Sequence, residues 1–139
     1  MDQAVSYSTI DIVNGTGESI YTANVVLKEG EFFDGVDPNN EIPPEKLDGI
    51  EIKVEYCVYT CRRRNSPTGE AGSIDLVDGD GKRIATVRWD VPWSAPSGNV
   101  IFVDVVGSGY SVTADGWVKE GPEFGTAKLQ VTKNPVDTA

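Results

Sequence analysis

Apolar and polar residues alternate with a period of two along most of this chain, and that period is the repeat of a β-strand. The alternation is strictest in residues 50–61, which predict one strand. The residues expected to face the core from it are Ile50, Ile52, Val54, Tyr56 and Val58. No window has the 3.6-residue period of an amphipathic helix, so the pattern predicts strands and turns throughout.

An Asn-Gly pair at positions 14–15 separates two further strand patterns, residues 5–13 and residues 19–28. Such a pair is a strong hairpin signal, so we predict that these two strands pair with each other. The acidic, proline-containing segment 34–48 follows, and it has no sustained period. It predicts a long surface loop that connects the two sheets or faces a partner.

A second hairpin is predicted for residues 70–77 and 83–89, because the Asp-Gly pairs between them are typical of tight turns. Residues 100–106 are almost continuously apolar, which predicts a strand covered on both faces. The last predicted strand occupies residues 124–133. The residues that it places on one side are Ala127, Leu129 and Val131.

Strands with a turn signal about every ten residues, and no helix, are typical of a sandwich or a barrel. We predict an all-β fold, a single-domain antiparallel β-sandwich of two sheets that spans residues 1–139. A chain of this length buries enough surface to form one core without disulfides or metals.

The charge and the missing residue types exclude several functions. With 22 acidic and 12 basic residues the formal net charge is −10, which argues against nucleic acid as a partner. Histidine is absent, so Ser-His and Cys-His nucleophiles and the usual zinc ligand are absent too. We therefore predict no catalytic residues, no metal and no cofactor; a pair of carboxylates is the one enzymatic arrangement still open.

The two cysteines and the arginines after them lie in the strictly alternating segment. Cys57 and Cys61 are four residues apart, or ~13 Å along an extended strand, and a disulfide needs Cα atoms within about 7 Å. Free thiols are therefore predicted. The basic run 62–64 suits a phosphate or carboxylate ligand, or else it protects a sheet edge or pairs with nearby acids, and these interpretations stay open.

The candidate recognition element is residues 88–99, where two tryptophans lie beside two prolines. Proline supplies no N–H to a sheet, so we predict that the strand ends here and that a loop follows. Its aromatics either form a recognition surface or close one end of the sandwich. In the first case Arg88 or the arginine run 62–64 binds a lipid phosphate, and Asp90 or another acid binds a headgroup amine. In a lectin-like alternative the same aromatics stack on a sugar ring, and Asp90 and Asn99 bind its hydroxyls.

The motif Trp-Asp-Val-Pro-Trp at positions 89–93, together with residues 73–78 and 125–131, resembles the aegerolysin family of small acidic all-β proteins. The resemblance implies a β-sandwich that recognises membrane lipids, notably sphingolipids. It also implies a bacterial member that serves as the targeting component of a two-component, pore-forming, insecticidal and haemolytic toxin. The residues that correspond to the lipid-facing element of the family are Trp89, Asp90 and Trp93, and Tyr7 stands where fungal members have a tryptophan.

The resemblance also implies partners and a place of action. The expected partners are sphingolipid-type membrane lipids and a larger companion pore-forming protein, and a homodimer stays open. Residues 1–4 have neither the basic start nor the apolar core of a secretory signal. We therefore expect synthesis in the bacterial cytoplasm and action outside the cell, at target-cell membranes.

Overall fold

The computed structural model describes residues 4–63, 69–92, 98–105, 107–120 and 123–135. In this part of the chain there are eleven β-strands and one short 3-10 turn, Pro44–Lys46. The strands are β1 Ala4–Gly15, β2 Ile20–Glu29, β3 Glu31–Phe33, β4 Glu41–Ile42, β5 Glu51–Ile52, β6 Glu55–Arg63, β7 Glu70–Val77, β8 Arg83–Val91, β9 Val100–Val105, β10 Tyr110–Asp115 and β11 Gly125–Lys133. No helix among the described residues is long and apolar enough to cross a membrane.

These strands form two sheets, as the sequence predicts. One has six strands in the order β10-β11-β1-β6-β3-β4, and the other has five in the order β5-β2-β7-β8-β9. Neighbouring strands are antiparallel in the described pairings except β1 and β11, which run parallel with Ile10 opposite Ala127. The first and last strands thus lie side by side in the six-stranded sheet.

The inner faces of both sheets pack into a common hydrophobic core. The alternation that predicted the strands is the alternation of burial, because successive side chains point to opposite faces. The prediction for the last strand is confirmed: Ala127, Leu129 and Val131 are fully buried. The other large apolar side chains with almost no exposure are Trp89, Phe32, Phe124, Ile10, Ile12, Ile20, Ile52, Ile74, Leu76 and Ile84.

The predicted hairpin of residues 5–13 and 19–28 is wrong, because β1 and β2 belong to different sheets. The Asn-Gly signal marks a corner between the sheets instead. The side-chain amide of Asn14 donates to the carbonyls of Glu18 and Ile52, at 2.7 and 2.8 Å, and its Oδ1 accepts from the Thr16 amide at 3.0 Å. The side chain therefore holds the corner closed.

The single strand predicted for residues 50–61 is also divided between the sheets. β5 pairs with β2 in the five-stranded sheet, and β6 pairs with β1 in the six-stranded one. The bend between them leaves Val54 72% exposed, so its predicted place in the core is wrong. Asn14 fixes this bend as well, because its main-chain N–H donates a hydrogen bond to the Val54 carbonyl at 2.7 Å.

The prediction that residues 100–106 form a strand covered on both faces is wrong. β9 is an edge strand of the five-stranded sheet, with Phe102 50% and Val105 38% exposed on it. The β7–β8 hairpin is confirmed, and Asp78 closes its turn by accepting from the Asp80 and Lys82 amides at 2.9 Å. Segment 34–48 is a loop interrupted by β4 and the 3-10 turn.

One end of the sandwich contains most of the predicted recognition residues. β6 ends and β7 begins at this end, which we call the β6–β7 end. The chain also passes there from β2 to β3 through Gly30, whose neighbours Glu29 and Glu31 pair with Ala71 and Cys61. Both sheets therefore share this end.

Candidate functional site

A groove of about 170 Å³ lies on the five-stranded sheet, near the β6–β7 end. The strand register explains its walls: Val26, Ser73, Arg88 and Phe102 are successive cross-strand neighbours on β2, β7, β8 and β9. Val26 and Phe102 are 53% and 50% exposed and form the two apolar sides. We call this the outer groove. Its lining residues are Val26, Lys28, Ala71, Gly72, Ser73, Arg88, Trp89, Asp90 and Phe102.

The outer groove contains charges of both signs. The guanidinium of Arg88 lies over the Phe102 ring, 4.8 Å from its centroid, a cation–π contact that holds the charge in place. Asp90 follows two residues later and is therefore exposed on the same face of β8. Neither Arg88 nor Lys28 forms an ion pair with another described residue. Two cations are thus available to a ligand.

Trp89 is not a loop aromatic. β8 continues to Val91, and the period of two places Trp89 with Val87 on its inner face. The side chain is 2% exposed and packs edge-to-face on Phe32, with ring centroids 6.0 Å apart. Its prediction as an exposed, lipid-facing aromatic is therefore wrong, and for Trp89 the structure favours the alternative of an aromatic that closes one end of the sandwich.

A glycine makes room for this buried ring on the inner face of the sheet. Gly72 lies opposite Trp89 in the β7–β8 pairing, and a Cβ added there would be 2.7 Å from the ring carbon Cζ2 of Trp89. Because Gly72 has no side chain, the indole can occupy the space on the inner face that a Cβ there would fill. The indole N–H of Trp89 has no hydrogen-bond partner among the described residues, which is uncommon for a buried donor.

Tyr7 lies at the same end of the sandwich but on the other sheet. It is 48% exposed on β1 and contacts Phe33 edge-to-face at 6.0 Å, and Phe33 in turn lies 5.8 Å from Tyr59. The outer surface of the six-stranded sheet therefore has a short aromatic row. The structure places Tyr7 and the outer groove near one end, on opposite faces.

The remaining predicted residues divide into two groups. Trp93 and Arg64 lie outside the described residues, and their roles stay predictions. Asn99 is only 4% exposed, and its side-chain amide donates to the Val118 and Glu123 carbonyls at 2.8 and 3.4 Å. This bonding joins chain segments, which argues against Asn99 as a residue that binds sugar hydroxyls.

A carboxylate pair that the sequence did not predict lies on the outer surface of the six-stranded sheet. Its members, Asp11 and Glu55, come from the adjacent strands β1 and β6. The pKa of Glu55 is raised, first by its hydrogen bond to Asp11 and then by the negative charge of that residue. Cys57 donates to Asp11 Oδ1 at 3.6 Å, and burial raises the pKa of its thiol.

The predicted free thiols are confirmed, with Cys57 partly exposed and Cys61 buried. No group of three or more Cys, Asp or Glu side chains in the described part of the chain is arranged to hold a metal ion. The Asp11–Glu55 pair was hidden from sequence analysis because its members are distant along the chain and meet only through the β1–β6 register.

Sequence analysis also missed the groove residues contributed by other strands. Lys28 and Gly72 lie far from residues 88–99 in the sequence, Phe102 lies just beyond them, and no local motif marks any of the three. The one available signal was the two-residue period, which places Arg88 and Asp90 on the face of β8 opposite Trp89.

Comparison with known proteins supplies the family. The sequence model of the aegerolysin family matches residues 5–134. This chain belongs to the aegerolysin family. Among curated aegerolysin relatives, Asp-hemolysin of Aspergillus fumigatus is 28% identical over 130 residues, 88% of this chain and 89% of the relative. Aegerolysin Aa-Pri1 of Cyclocybe aegerita is 29% identical over 99 residues, 68% of each chain.

Solved structures agree with the aegerolysin fold. The RahU protein, solved in complex with a Tris molecule, superposes with a TM-score of 0.87 at 21% identity, over 95% of this chain and 98% of that one. IP-1A from Alcaligenes faecalis superposes with a TM-score of 0.81 at 27% identity, over 95% of this chain and 94% of that one. The lipid binding protein Nakanori superposes with a TM-score of 0.58 at 14% identity, over 94% of this chain and 72% of that one. The predicted family and fold are thereby confirmed.

Proposed function

We propose that this aegerolysin recognises membrane lipids through the β6–β7 end of its sandwich. The observation that carries the proposal is the exposure of three large apolar side chains near that end. Tyr7, Val26 and Phe102 are 48%, 53% and 50% exposed, each within three residues of the strand terminus there. Exposed apolar side chains at one end of a rigid scaffold suit insertion into the boundary between headgroups and acyl chains.

The composition of this end suits an interface between water and lipid. Tyr7 combines an apolar ring with a polar hydroxyl, a combination favoured at membrane interfaces. Arg88 and Asp90 offer charges of both signs to zwitterionic headgroups, so the net charge of −10 does not prevent membrane binding. The names of two comparison proteins, Asp-hemolysin and the lipid binding protein Nakanori, are consistent with membranes as the target.

The finer proposal is that of the family resemblance. The protein recognises sphingolipid-type membranes from outside the target cell and recruits a larger companion protein that forms the pore, as in a binary insecticidal toxin. The lectin-like alternative loses support, because the amide of Asn99 is bonded to the main chain.

Vesicle binding tests the lipid proposal. We expect the protein to sediment with sphingolipid-containing vesicles, and we expect Tyr7→Ala and Phe102→Ala each to weaken binding by about tenfold, because each removes an apolar group from the lipid contact. Val54→Ala is the matched control, since Val54 is exposed where β6 begins, at the opposite end of the sandwich. Equal losses in all three variants, or no binding to any vesicle, would contradict the proposal. Binding to a glycan array instead would support the lectin-like alternative.

We also expect that this chain alone does not release dye from vesicles and that leakage requires the companion. A membrane-crossing strand needs about 9–11 residues. The described strands of nine or more residues, β1, β2, β6, β8 and β11, are all interior strands of their sheets, and they carry core residues such as Val58 and Val87. Releasing any of them would expose the core, a cost that exceeds the stability of a small domain. Leakage caused by the pure single chain, with contaminating partner excluded by mass spectrometry, would refute this division of roles.

A further inference from the structure

Another cavity, of about 390 Å³, lies at the end of the sandwich opposite the β6–β7 end. At this end β7 is followed by β8 and β9 by β10. The walls of the cavity are residues of the two connections between these strands, together with the last residue of β11, Lys133. We call this cavity the end cavity.

The end cavity is basic, although the chain as a whole has a formal charge of −10. Lys82, Arg83 and Lys133 line it, and Asp78 is the one carboxylate among its described lining residues, so three positive charges face one negative charge. That carboxylate is already engaged, because its Oδ1 accepts from the Asp80 and Lys82 amides at 2.9 Å. Cations around one cavity repel each other, and an anion placed between them removes the repulsion.

The three cations have no strong counterion among the described residues. Lys82 and Arg83 form no ion pair there, and the Arg83 guanidinium donates to a neutral partner, the Thr86 hydroxyl, at 3.3 Å. Lys133 contacts Glu18 at 3.4 Å, but their side chains are 44% and 69% exposed, and an ion pair so open to water is weak. A ligand can therefore share or displace these contacts at little cost.

Strand register brings the cations together from both sheets. The period of two that buries Leu129 and Val131 puts Lys133 on the same inner side of β11, one step beyond the core. Tyr110, the first residue of β10, is its cross-strand partner. Arg83 enters from the other sheet as the first residue of β8. The end cavity therefore lies between the two sheets and has a cation on each side.

Hydrogen bonds hold the walls in place before any ligand binds. The Gly107 amide donates to the Ile84 carbonyl at 3.0 Å, which joins the segment before β10 to β8. A Cβ on Gly107 would lie 3.0 Å from the Ile84 Cα and 3.1 Å from the Arg83 carbonyl oxygen, so only glycine allows this approach without a shift. The Asn134 amide donates to the Gly109 carbonyl at 2.7 Å. A ligand that binds between preorganised walls loses less affinity to the ordering of the protein.

We propose that the end cavity binds doubly charged oxyanions, the chemistry of phosphate and of phosphate monoesters. The Arg83 guanidinium presents paired N–H donors to two phosphate oxygens, and the lysine ammonium groups supply further charge. The hydroxyls of Ser108 and Tyr110 are additional donors at the cavity wall. The cavity is larger than a phosphate group, so it has room for the organic part of an ester. This inference does not rest on the proposed function, because the recognition residues lie at the opposite end.

Inorganic phosphate and sulfate probe the end cavity when chloride keeps the ionic strength constant. We expect isothermal titration calorimetry to show one site for each ion. Lys82→Gln and Arg83→Gln should each weaken binding about tenfold, the usual effect of losing a charge-assisted hydrogen bond. Lys46→Gln is the matched control, because it removes the same charge from an exposed side chain that does not line the cavity. Equal losses in all three variants, or no binding at constant ionic strength, would overturn the site.

The pH dependence tests the preference for doubly charged ligands. A phosphate monoester gains its second negative charge with a pKa of about 6, so glycerol 3-phosphate should bind about tenfold more tightly at about pH 8 than at about pH 5. Sulfate has two charges throughout this range and therefore reports any change in the charge of the protein itself, including that of Asp78 and Glu18. The same pH dependence for both ligands would overturn the preference for dianions.

Vesicles identify the source of the phosphate, because phosphatidic acid presents a phosphate monoester on a membrane and glycerol 3-phosphate presents it in solution. Binding of glycerol 3-phosphate that Lys82→Gln weakens and Lys46→Gln does not supports a soluble ligand. The same pattern with phosphatidic acid vesicles alone supports a lipid phosphate. Binding of neither, or binding that Lys82→Gln leaves intact, overturns the end cavity as a site. That outcome leaves membrane recognition through Tyr7 and Phe102 standing, whereas loss of that recognition leaves the end cavity untouched.

Discussion

Trp89→Ala is expected to lower the free energy of unfolding by about 3–5 kcal/mol, the usual cost of removing a large aromatic side chain from a packed core. The ring is 2% exposed and packs edge-to-face on Phe32, which is itself fully buried. Neighbouring main chain cannot fill such a space, because β8 is hydrogen-bonded on both sides, to β7 and β9. Against the 5–15 kcal/mol typical of small domains, this loss leaves a marginally stable protein.

Urea denaturation followed by circular dichroism measures this loss as a lower midpoint with an unchanged slope. Trp89→Phe is the matched variant: it keeps most of the ring volume and removes the unpaired N–H, so we expect a smaller loss. If Trp89→Ala instead abolished vesicle binding at unchanged stability, Trp89 would be a lipid-facing aromatic as the motif first suggested, and its burial in the core would be refuted.

Gly72→Ala is expected to destabilise the fold by about 1–3 kcal/mol, toward the upper end, because the added methyl group meets main chain. A Cβ at this position would lie 2.5 Å from the Val26 carbonyl oxygen and 2.7 Å from the Trp89 ring. A flexible side chain could move away from such a contact, whereas the carbonyl belongs to β2, which is paired with β7. The strands must separate or the indole must rotate.

Thermal and urea denaturation of Gly72→Ala, beside Gly79→Ala, tests this expectation. Gly79 lies in the β7–β8 turn, and a Cβ there has no atom within 4 Å, so its replacement should be nearly neutral. The Gly72 variant should also shift the Trp89 indole N–H resonance in the absence of any ligand, because the ring must move. Equal stability of the two variants would show that the β2–β7 contact is looser than the structure has it.

The two substitutions act on one cross-strand pair, Gly72 opposite Trp89, on the inner face of the five-stranded sheet. The family motif at positions 89–93 thus has two roles on opposite faces of a single strand. Trp89 stabilises the fold from the inner face, and Asp90 faces solvent from the outer one. The resemblance assigned both residues to recognition. Because Trp89 is buried and Asp90 is exposed, Trp89 is a structural residue and Asp90 is the candidate for binding.

The sequence alone determined the secondary structure class, the β7–β8 hairpin and the inward face of the last strand. These features depend on local physics: the two-residue period places Ala127, Leu129 and Val131 on one side, and the Asp-Gly turn joins strands that are neighbours in the chain. The free state of Cys57 and Cys61 followed in the same way from the length of an extended segment. None of these features requires knowledge of which distant strands pair.

Tertiary structure decided what distant pairing brings together. The alternation of residues 50–61 could not reveal that the chain changes sheets near Val54, because both halves keep the same period while hydrogen bonds from Asn14 fix the bend. The outer groove likewise joins Lys28, Arg88 and Phe102 from three strands, and the Asp11–Glu55 pair depends on the β1–β6 register. Residues far apart in sequence become neighbours only through strand order and register, and a local pattern determines which face a side chain occupies without determining what lies beside it.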